Sequence, residues 1–315
     1  MHPASIEVEK LERRFGDFVA VDHIDLVVQP GEIYGFLGPN GAGKSTTCRM
    51  LCTLTSPTSG VARVAGSDVA KDPGTVRLAI GAVLQATALD LKQTGNELLR
   101  QQGRYYGLSN KEVDDRLVEL RAMIDLGDAL DRPIKSYSGG MKRRVDLAAS
   151  LLHNPRVLFL DEPTTGLDPA SRALVWEEVR RLNTELGVTI FLTTQYLEEA
   201  DALANRVGII DQGKIVAEGT PEELKRRIGG AVIRVEVDNV ARAREIVAAI
   251  PGIDEATISG SVLVATAANG PAVISPVAVA LANADIAVHG LTLREPSLDD
   301  VFLTVTGHHL QENQA

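Results

Sequence analysis

From Ile6 to about Gly219 the apolar residues fall in short runs separated by amphipathic stretches of helical period. The runs are IEVEKL, HIDLVV, EIYGFLG, AIGAVLQ, VLFLDEP, TIFLTT and VGIIDQGKIVAEG. Short unbroken apolar runs with helices between them are the mark of strands buried on both faces, so this region predicts a largely parallel α/β core. The opening strands IEVEKL and HIDLVV, and the tight turn from Asp211 to Gly213, predict antiparallel β-structure flanking that core.

Between Ala86 and Arg132 helical periodicity replaces the strands. Ser109 and Glu112 form a capping box that opens a helix toward Ile124. This stretch, carried on to about residue 155, reads as a helical subdomain inserted into the core. Thr220, Pro221 and Glu223 make a second capping box, whose helix is expected to stop at Gly229 and Gly230. The domain boundary is placed there, giving a first domain over 1–229. Beyond it come VIRVEV, a helix near Val240 to Ala249, EATIS, SVLVAT, a helix after Ser275, and IAVHGLTL. That β-α-β-β-α-β order predicts a small ferredoxin-like domain over 230–307, followed by a polar tail over 308–315.

The 315 residues suit one large domain and one smaller one. With 44% hydrophobic and 23% charged residues the chain can bury a sizeable core. A formal net charge of -10, without any block of Lys or Arg, argues against nucleic acid as a partner. Cys48 and Cys52 supply two thiolates where a structural zinc site needs four, so they read as reduced, buried thiols. No apolar run approaches the ~20 residues that span a bilayer, and MHPASIEVEK carries no apolar signal segment. The chain is therefore expected on the cytoplasmic side, any transmembrane path belonging to another chain.

The string GPNGAGKST comprises Gly38, Pro39, Asn40, Gly41, Ala42, Gly43, Lys44, Ser45 and Thr46. It fits the phosphate-binding pattern G-x-x-x-x-G-K-[ST] and lies between a predicted strand and a predicted helix, as that pattern requires. Its glycines let backbone N–H groups converge on phosphate oxygens, Lys44 reaches the outer phosphates, and Ser45 can ligate Mg2+. A chance match in a chain this long is expected about one time in a hundred. In VLFLDEP the apolar run delivers Asp161 to the end of a buried strand, where it can hold Mg2+. Glu162 beside it can orient or deprotonate an attacking water.

With YSGGMKRR, Tyr137 to Arg144, shortly upstream of the acidic pair, the sequence resembles the ATP-binding-cassette family. Physically the motif is a Ser-Gly-Gly turn opening a helix, a second anion-binding N-terminus. The resemblance implies that Ser138, Gly139 and Gly140 contact the γ-phosphate held by another subunit's P-loop, hence a head-to-tail homodimer around MgATP. It further implies that Gln85 is the Q-loop residue, touching Mg2+ or water and linking the core to the helical subdomain. Asp168 in TTGLDPAS matches the D-loop and is equally an N-cap before Pro169. Phe15, in RRFGDF, stands where the family stacks an aromatic ring on adenine; a strand-end Phe is otherwise a core residue. Gln195 in TTQYLEEAD departs from the family, which usually has His there to contact the γ-phosphate. Gln donates a hydrogen bond but carries no charge, which bears on hydrolysis more than on binding.

Gln195, the stretch LQATALDLKQTGNELLRQQGRYYGL and the C-terminal EPSLDDVFLTVTG together resemble the daunorubicin/doxorubicin-resistance branch of that family. This implies an ATPase that drives export of a drug, lipid or secondary metabolite through a separate ABC-2-type permease, with Ala86 to about Tyr106 receiving a permease helix. Ser297 to Thr306 is a capped amphipathic helix, read either as a docking surface or as packing of Val301 and Phe302 on the small domain. Two alternatives remain: a regulatory ATP-binding protein with weak hydrolysis, and a non-transport ATPase of DNA repair or the ribosome, which the acidic charge disfavours.

Overall fold

The computed structural model describes residues 4–84, 89–124, 126–227, 229–260 and 262–306. The chain divides into two compact units, the first running to Thr220 and the second starting at Pro221. In the first unit β1 (Ile6–Phe15), β2 (Phe18–Val28), β3 (Ile33–Leu37), α1 (Lys44–Leu51), β4 (Ser59–Val64), β5 (Ser67–Asp68), α2 (Pro73–Ala79) and β6 (Ile80–Val83) come first. The helices α3 (Gly95–Tyr105), α4 (Asn110–Ile124) and α5 (Gly139–Leu151) follow. Then come β7 (Val157–Asp161), α6 (Pro169–Leu186), β8 (Thr189–Thr194), α7 (Leu197–Leu203), β9 (Arg206–Asp211) and β10 (Lys214–Gly219).

The central sheet has the order β10-β9-β3-β8-β7-β6, parallel except for β10, which pairs antiparallel with β9. Every residue of β3, β7 and β8 is buried. The alternation of side chains explains why. Leu158 and Leu160 join a core shared with the helices, while Val157 and Phe159 join a second core that contains α1 residues and the flanking sheet. In that second core the Phe191 ring packs at a tilt against Phe36 and Phe159, with ring centroids 5.5 and 5.7 Å away. The flank is an antiparallel sheet of order β2-β1-β4-β5, so the mixed α/β core with a β-rich side expected from the apolar pattern is present. Cys48 and Cys52 are free and buried.

The capping box before α4 forms as its spacing predicts: Glu112 N donates to Ser109 Oγ at 3.3 Å and Ser109 N to Glu112 Oε2 at 2.8 Å. Helices α3, α4 and α5 bury Leu99, Leu117, Leu120 and Val145 among themselves and the core.

The second unit comprises α8 (Pro221–Arg227), β11 (Ala231–Val237), α9 (Val240–Ala248), β12 (Glu255–Ser259), β13 (Val262–Ala267), α10 (Gly270–Asn283), β14 (Val288–Arg294) and α11 (Leu298–Thr306). Its sheet is antiparallel with order β12-β13-β11-β14, the ferredoxin-like arrangement. Two details differ from the sequence expectation. Helix α8 groups with this unit, ahead of the expected boundary at Gly229 and Gly230, because it packs against α11. Helix α10 starts at Gly270, before Ser275: Asn269 accepts from Ala272 N at 3.3 Å and Pro271 occupies the first turn, leaving Pro276 inside the helix. Helix α11 is capped by Ser297, whose Oγ accepts from Asp300 N at 3.2 Å, and Val301 and Phe302 are buried.

Candidate nucleotide site

Parallel pairing brings three strand ends to one edge of the sheet. Strand β8 lies between β3 and β7, with Thr194 in register with Leu37 and Thr193 with Asp161. The segments leaving these strands carry GPNGAGKST, Glu162 and Gln195, and the crevice beyond the carboxyl ends of parallel strands is where such sheets bind ligands.

The P-loop is clamped at both ends. Gly38 N donates to Thr194 O at 3.2 Å, and a Cβ at Gly38 would lie 2.3 Å from Ile210 O. Gly43 has φ +109, and a Cβ there would lie 2.5 Å from Ala20 O. Only glycine fits either position. Helix α1 begins at Lys44, and its first i to i-4 bond runs from Thr47 N to Gly43 O at 2.9 Å. The preceding amides point out of the helix start, where the dipole favours an anion.

Lys44 is 3% exposed, and its Nζ donates to Gly38 O at 2.8 Å and Pro39 O at 3.0 Å. It also pairs with Glu162 Oε1 at 3.3 Å. Burial pushes its ammonium below the usual lysine value, and the Glu162 carboxylate opposes this. Ser45 Oγ donates to Asp161 Oδ1 at 3.0 Å, and Thr193 Oγ1 donates to the same oxygen at 2.5 Å. Ser45 and Asp161 thus present adjacent hard oxygens. These suit Mg2+, which takes few protein ligands and completes its shell with water and phosphate oxygens. Among the described residues no cluster of three or more His, Cys, Asp or Glu could hold a metal on its own.

Glu162 is 8% exposed and has φ +49. A left-handed non-glycine residue costs about 1–2 kcal/mol. The surrounding bonds sustain it: Glu162 N donates to Thr193 O and Thr193 Oγ1, both at 3.1 Å, and Thr165 Oγ1 donates to Glu162 Oε2 at 3.2 Å. The turn aims the carboxylate back toward Lys44 rather than out along the strand.

Gln195 directly follows β8 and is half-buried, flanked by a bond from Tyr196 N to Thr194 Oγ1 at 2.9 Å. The structure therefore brings together Lys44, Ser45, Asp161 and Glu162 by direct contact, and Gln195 through the backbone. Thr193 escaped the sequence reading. Its one signal, a hydroxyl near the end of β8 beside that of Thr194, means nothing until β8 is known to pair with β7.

Ser138, Gly139 and Gly140 stand apart from this cluster. Ser138 caps α5, its Oγ accepting from Met141 N at 3.3 Å, and among the described residues no hydrogen bond joins the motif to the P-loop. The turn faces the D-loop segment instead, since a Cβ on Gly139 would meet Leu167 and one on Gly140 would meet Ser171, each at 3.6 Å. Asp168 caps α6 through Ser171 N at 3.0 Å, and the bond to Ser171 lowers its carboxyl below the usual value. Phe15 ends β1, pairs with Phe18 across the hairpin and is 50% exposed, with the Arg13 guanidinium 4.5 Å over its ring. The same hairpin touches the P-loop through Asp22 N to Gly213 O and Gly213 N to Ala42 O. Gln85 lies outside the described residues.

Comparison with known proteins identifies relatives of the whole chain. The family model described as ABC transporter matches residues 21–165, and that described as ATP-binding protein DrrA1-3-like, C-terminal domain, matches residues 219–306. The chain is 46% identical to "Daunorubicin resistance ATP-binding protein DrrA2" of Streptomyces coeruleorubidus, over 99% of this chain and 98% of that one. It is 36% identical to "Nod factor export ATP-binding protein I" of Cupriavidus metallidurans, over 98% and 99%. The solved "Structure of ATP binding subunit of ABC transporter" superposes with a TM-score of 0.64 and 30% identity, covering 70% of this chain and 92% of the other.

Proposed function

The chain belongs to the ATP-binding proteins of ABC transporters, and from that membership we propose that it is the MgATP-hydrolysing engine of an exporter whose membrane path lies in a separate ABC-2-type permease. The observation that carries the reading is the convergence of Lys44, Ser45, Asp161 and Glu162 at adjacent strand ends. Among the described residues no helix is long and apolar enough to cross a membrane. The names of the relatives, resistance to daunorubicin in one and export of Nod factor in the other, support export of a drug-like, lipid or secondary-metabolite cargo.

Lys44 leaves the Gly38 and Pro39 carbonyls and the Glu162 carboxylate for the phosphate oxygens, a stronger charge partner. Glu162 Oε1 then loses its cation and becomes a better base for the attacking water. The water oxygen bonds to the γ-phosphorus, its proton passes to Glu162, and the bond to the ADP oxygen breaks. Gln195 donates to a γ-phosphate oxygen without adding charge. Ser45 Oγ and Asp161, with Gln85 from the Q-loop, would hold Mg2+, which when bound would supply charge neutralisation for the phosphates. Ser138, Gly139 and Gly140, which among the described residues make no hydrogen bond to their own P-loop, serve the nucleotide of a second copy, and Asp168 lies at that same dimer seam. Phe15, braced by Arg13, stacks on adenine.

The test is MgATP turnover by the purified chain, alone and with its permease in lipid, for wild type, Lys44→Ala and Glu162→Gln. Turnover that rises with the permease and disappears in both variants is expected. Binding without turnover in either setting would overturn the engine reading in favour of a regulatory ATP-binding protein, the alternative that Gln195 motivates.

A further inference from the structure

Between the two strand ends that carry Glu162 and Gln195 lies a carboxylate that hydrolysis as described does not use. Glu199, in the first turn of α7, is 1% exposed. Its Oε1 accepts from Thr164 Oγ1 at 2.8 Å and from Trp176 Nε1 at 2.9 Å, and the Thr194 hydroxyl is a further donor. Burial pushes its carboxyl above the usual range, and these bonds oppose that shift. A buried carboxylate is tolerated only when its lone pairs are met in this way, and a network so satisfied is rigid.

The positions of the donors decide what that rigidity does. Thr164 stands two residues past Glu162, inside the turn that Thr165 bonds to the Glu162 carboxylate. Thr194 directly precedes Gln195; its carbonyl accepts from Gly38 N, and its hydroxyl accepts from Tyr196 N, so Gln195 is the middle of a closed turn. The ring of Tyr196 is covered by the Arg172 guanidinium, 4.3 Å above its centroid. Arg172 belongs to α6, which also carries Trp176. One buried carboxylate therefore ties together the turn bearing the base, the turn bearing Gln195, and the helix that runs on from the D-loop.

We propose that Glu199 is a positioning residue for hydrolysis: through Thr164 and Thr194 it holds Glu162 and Gln195 at one separation without touching the nucleotide. The inference rests on the roles given to Glu162 and Gln195 above. A residue that served stability alone would change affinity and turnover together. One that sets this separation changes turnover more than affinity, because the bonds of Glu199 itself go to Thr164, Trp176 and Thr194 and not to Gly43, Lys44 or the start of α1.

The test uses single-turnover MgATP hydrolysis and MgATP binding by the full chain for Glu199→Ala, Glu199→Gln and Thr164→Val, each with and without Gln195→Ala. Trp176 is the sole tryptophan of the sequence and bonds Glu199 directly, so its emission reports both folding and the state of the network. Glu199→Ala is expected to lower kcat on the order of 10- to 100-fold, the range for outer-shell and misplaced catalytic groups. MgATP affinity stays within about threefold, and Glu199→Gln, which keeps the accepting oxygen, recovers most of the loss. In the Gln195→Ala background the added effect of Glu199→Ala shrinks to under about threefold, because the two act as a unit. Equal losses in affinity and kcat, or full additivity with Gln195→Ala, would overturn the proposal. Should Glu199→Ala not fold, Thr164→Val, which removes a single donor, decides by the same split. If Glu162→Gln and Gln195→Ala leave turnover intact, the parent assignment has failed; if both impair it and the Glu199 variants do not, this inference alone has.

Discussion

Asp146 lies on α5, the helix that opens with the Ser-Gly-Gly turn, and its nearest cation is Arg143 at 4.0 Å. Burial pushes its carboxyl from an ordinary 3.8 up to about 6, and Arg143 only partly opposes the shift. At 1.36 kcal/mol per pKa unit, ionising Asp146 costs the folded chain about 3 kcal/mol relative to the unfolded one. The sign follows from proton counting: between pH 4 and 6 the folded chain holds a proton that the unfolded chain has released, so stability from this group falls as pH rises through that window. Asp146→Asn is neutral throughout and escapes the loss. It is expected to be more stable than wild type at pH 7.5, by up to about 3 kcal/mol, with the advantage fading toward pH 4. Urea unfolding followed by Trp176 emission reads the first unit alone, because no other tryptophan exists. A variant less stable than wild type at pH 7.5, or a gap that does not change with pH, would refute the reasoning and mean that the Arg143 pairing outweighs desolvation.

Two further outcomes follow from the site. Gly43→Ala forces a side chain into φ +109 with its Cβ about 2.5 Å from Ala20 O; a backbone cost of at least about 2 kcal/mol should displace the loop and lower MgATP affinity more than tenfold, read by nucleotide titration. Phe15→Ala should raise the KM for ATP about 3- to 10-fold with kcat little changed, while Phe15→Tyr stays near wild type, since the ring is half-exposed and its stacking is worth about 1 kcal/mol.

Much of this was legible in the sequence because the determinants are local. The runs VLFL and TIFL lie in buried strands because their continuous apolar side chains are withdrawn from water on both faces of the sheet, and Gly38 and Gly43 are glycines because backbone approaches where a Cβ would sit. The Ser109 and Glu112 box formed because both partners lie within one helical turn. The start of α10 was misplaced for a reason equally local: Asn269 with Pro271 and Ser275 with Pro276 are similar start signals, and the chain uses the earlier.

The sequence alone therefore determined the phosphate loop, the acidic pair, the capping box at Ser109 and the β-α-β-β-α-β order of the second unit, each of which depends on neighbours a few residues away. Tertiary structure alone decided which strand lies beside which, and with it everything that depends on the meeting of β3, β7 and β8. Thr193 serves Asp161, and Glu199 reaches Thr164, only because parallel pairing and the docking of α6 and α7 bring together segments about 30 residues apart. A carboxylate in LEEADAL carries no mark of burial in its own neighbourhood; its desolvation, its partners and its role arise from the packing around it.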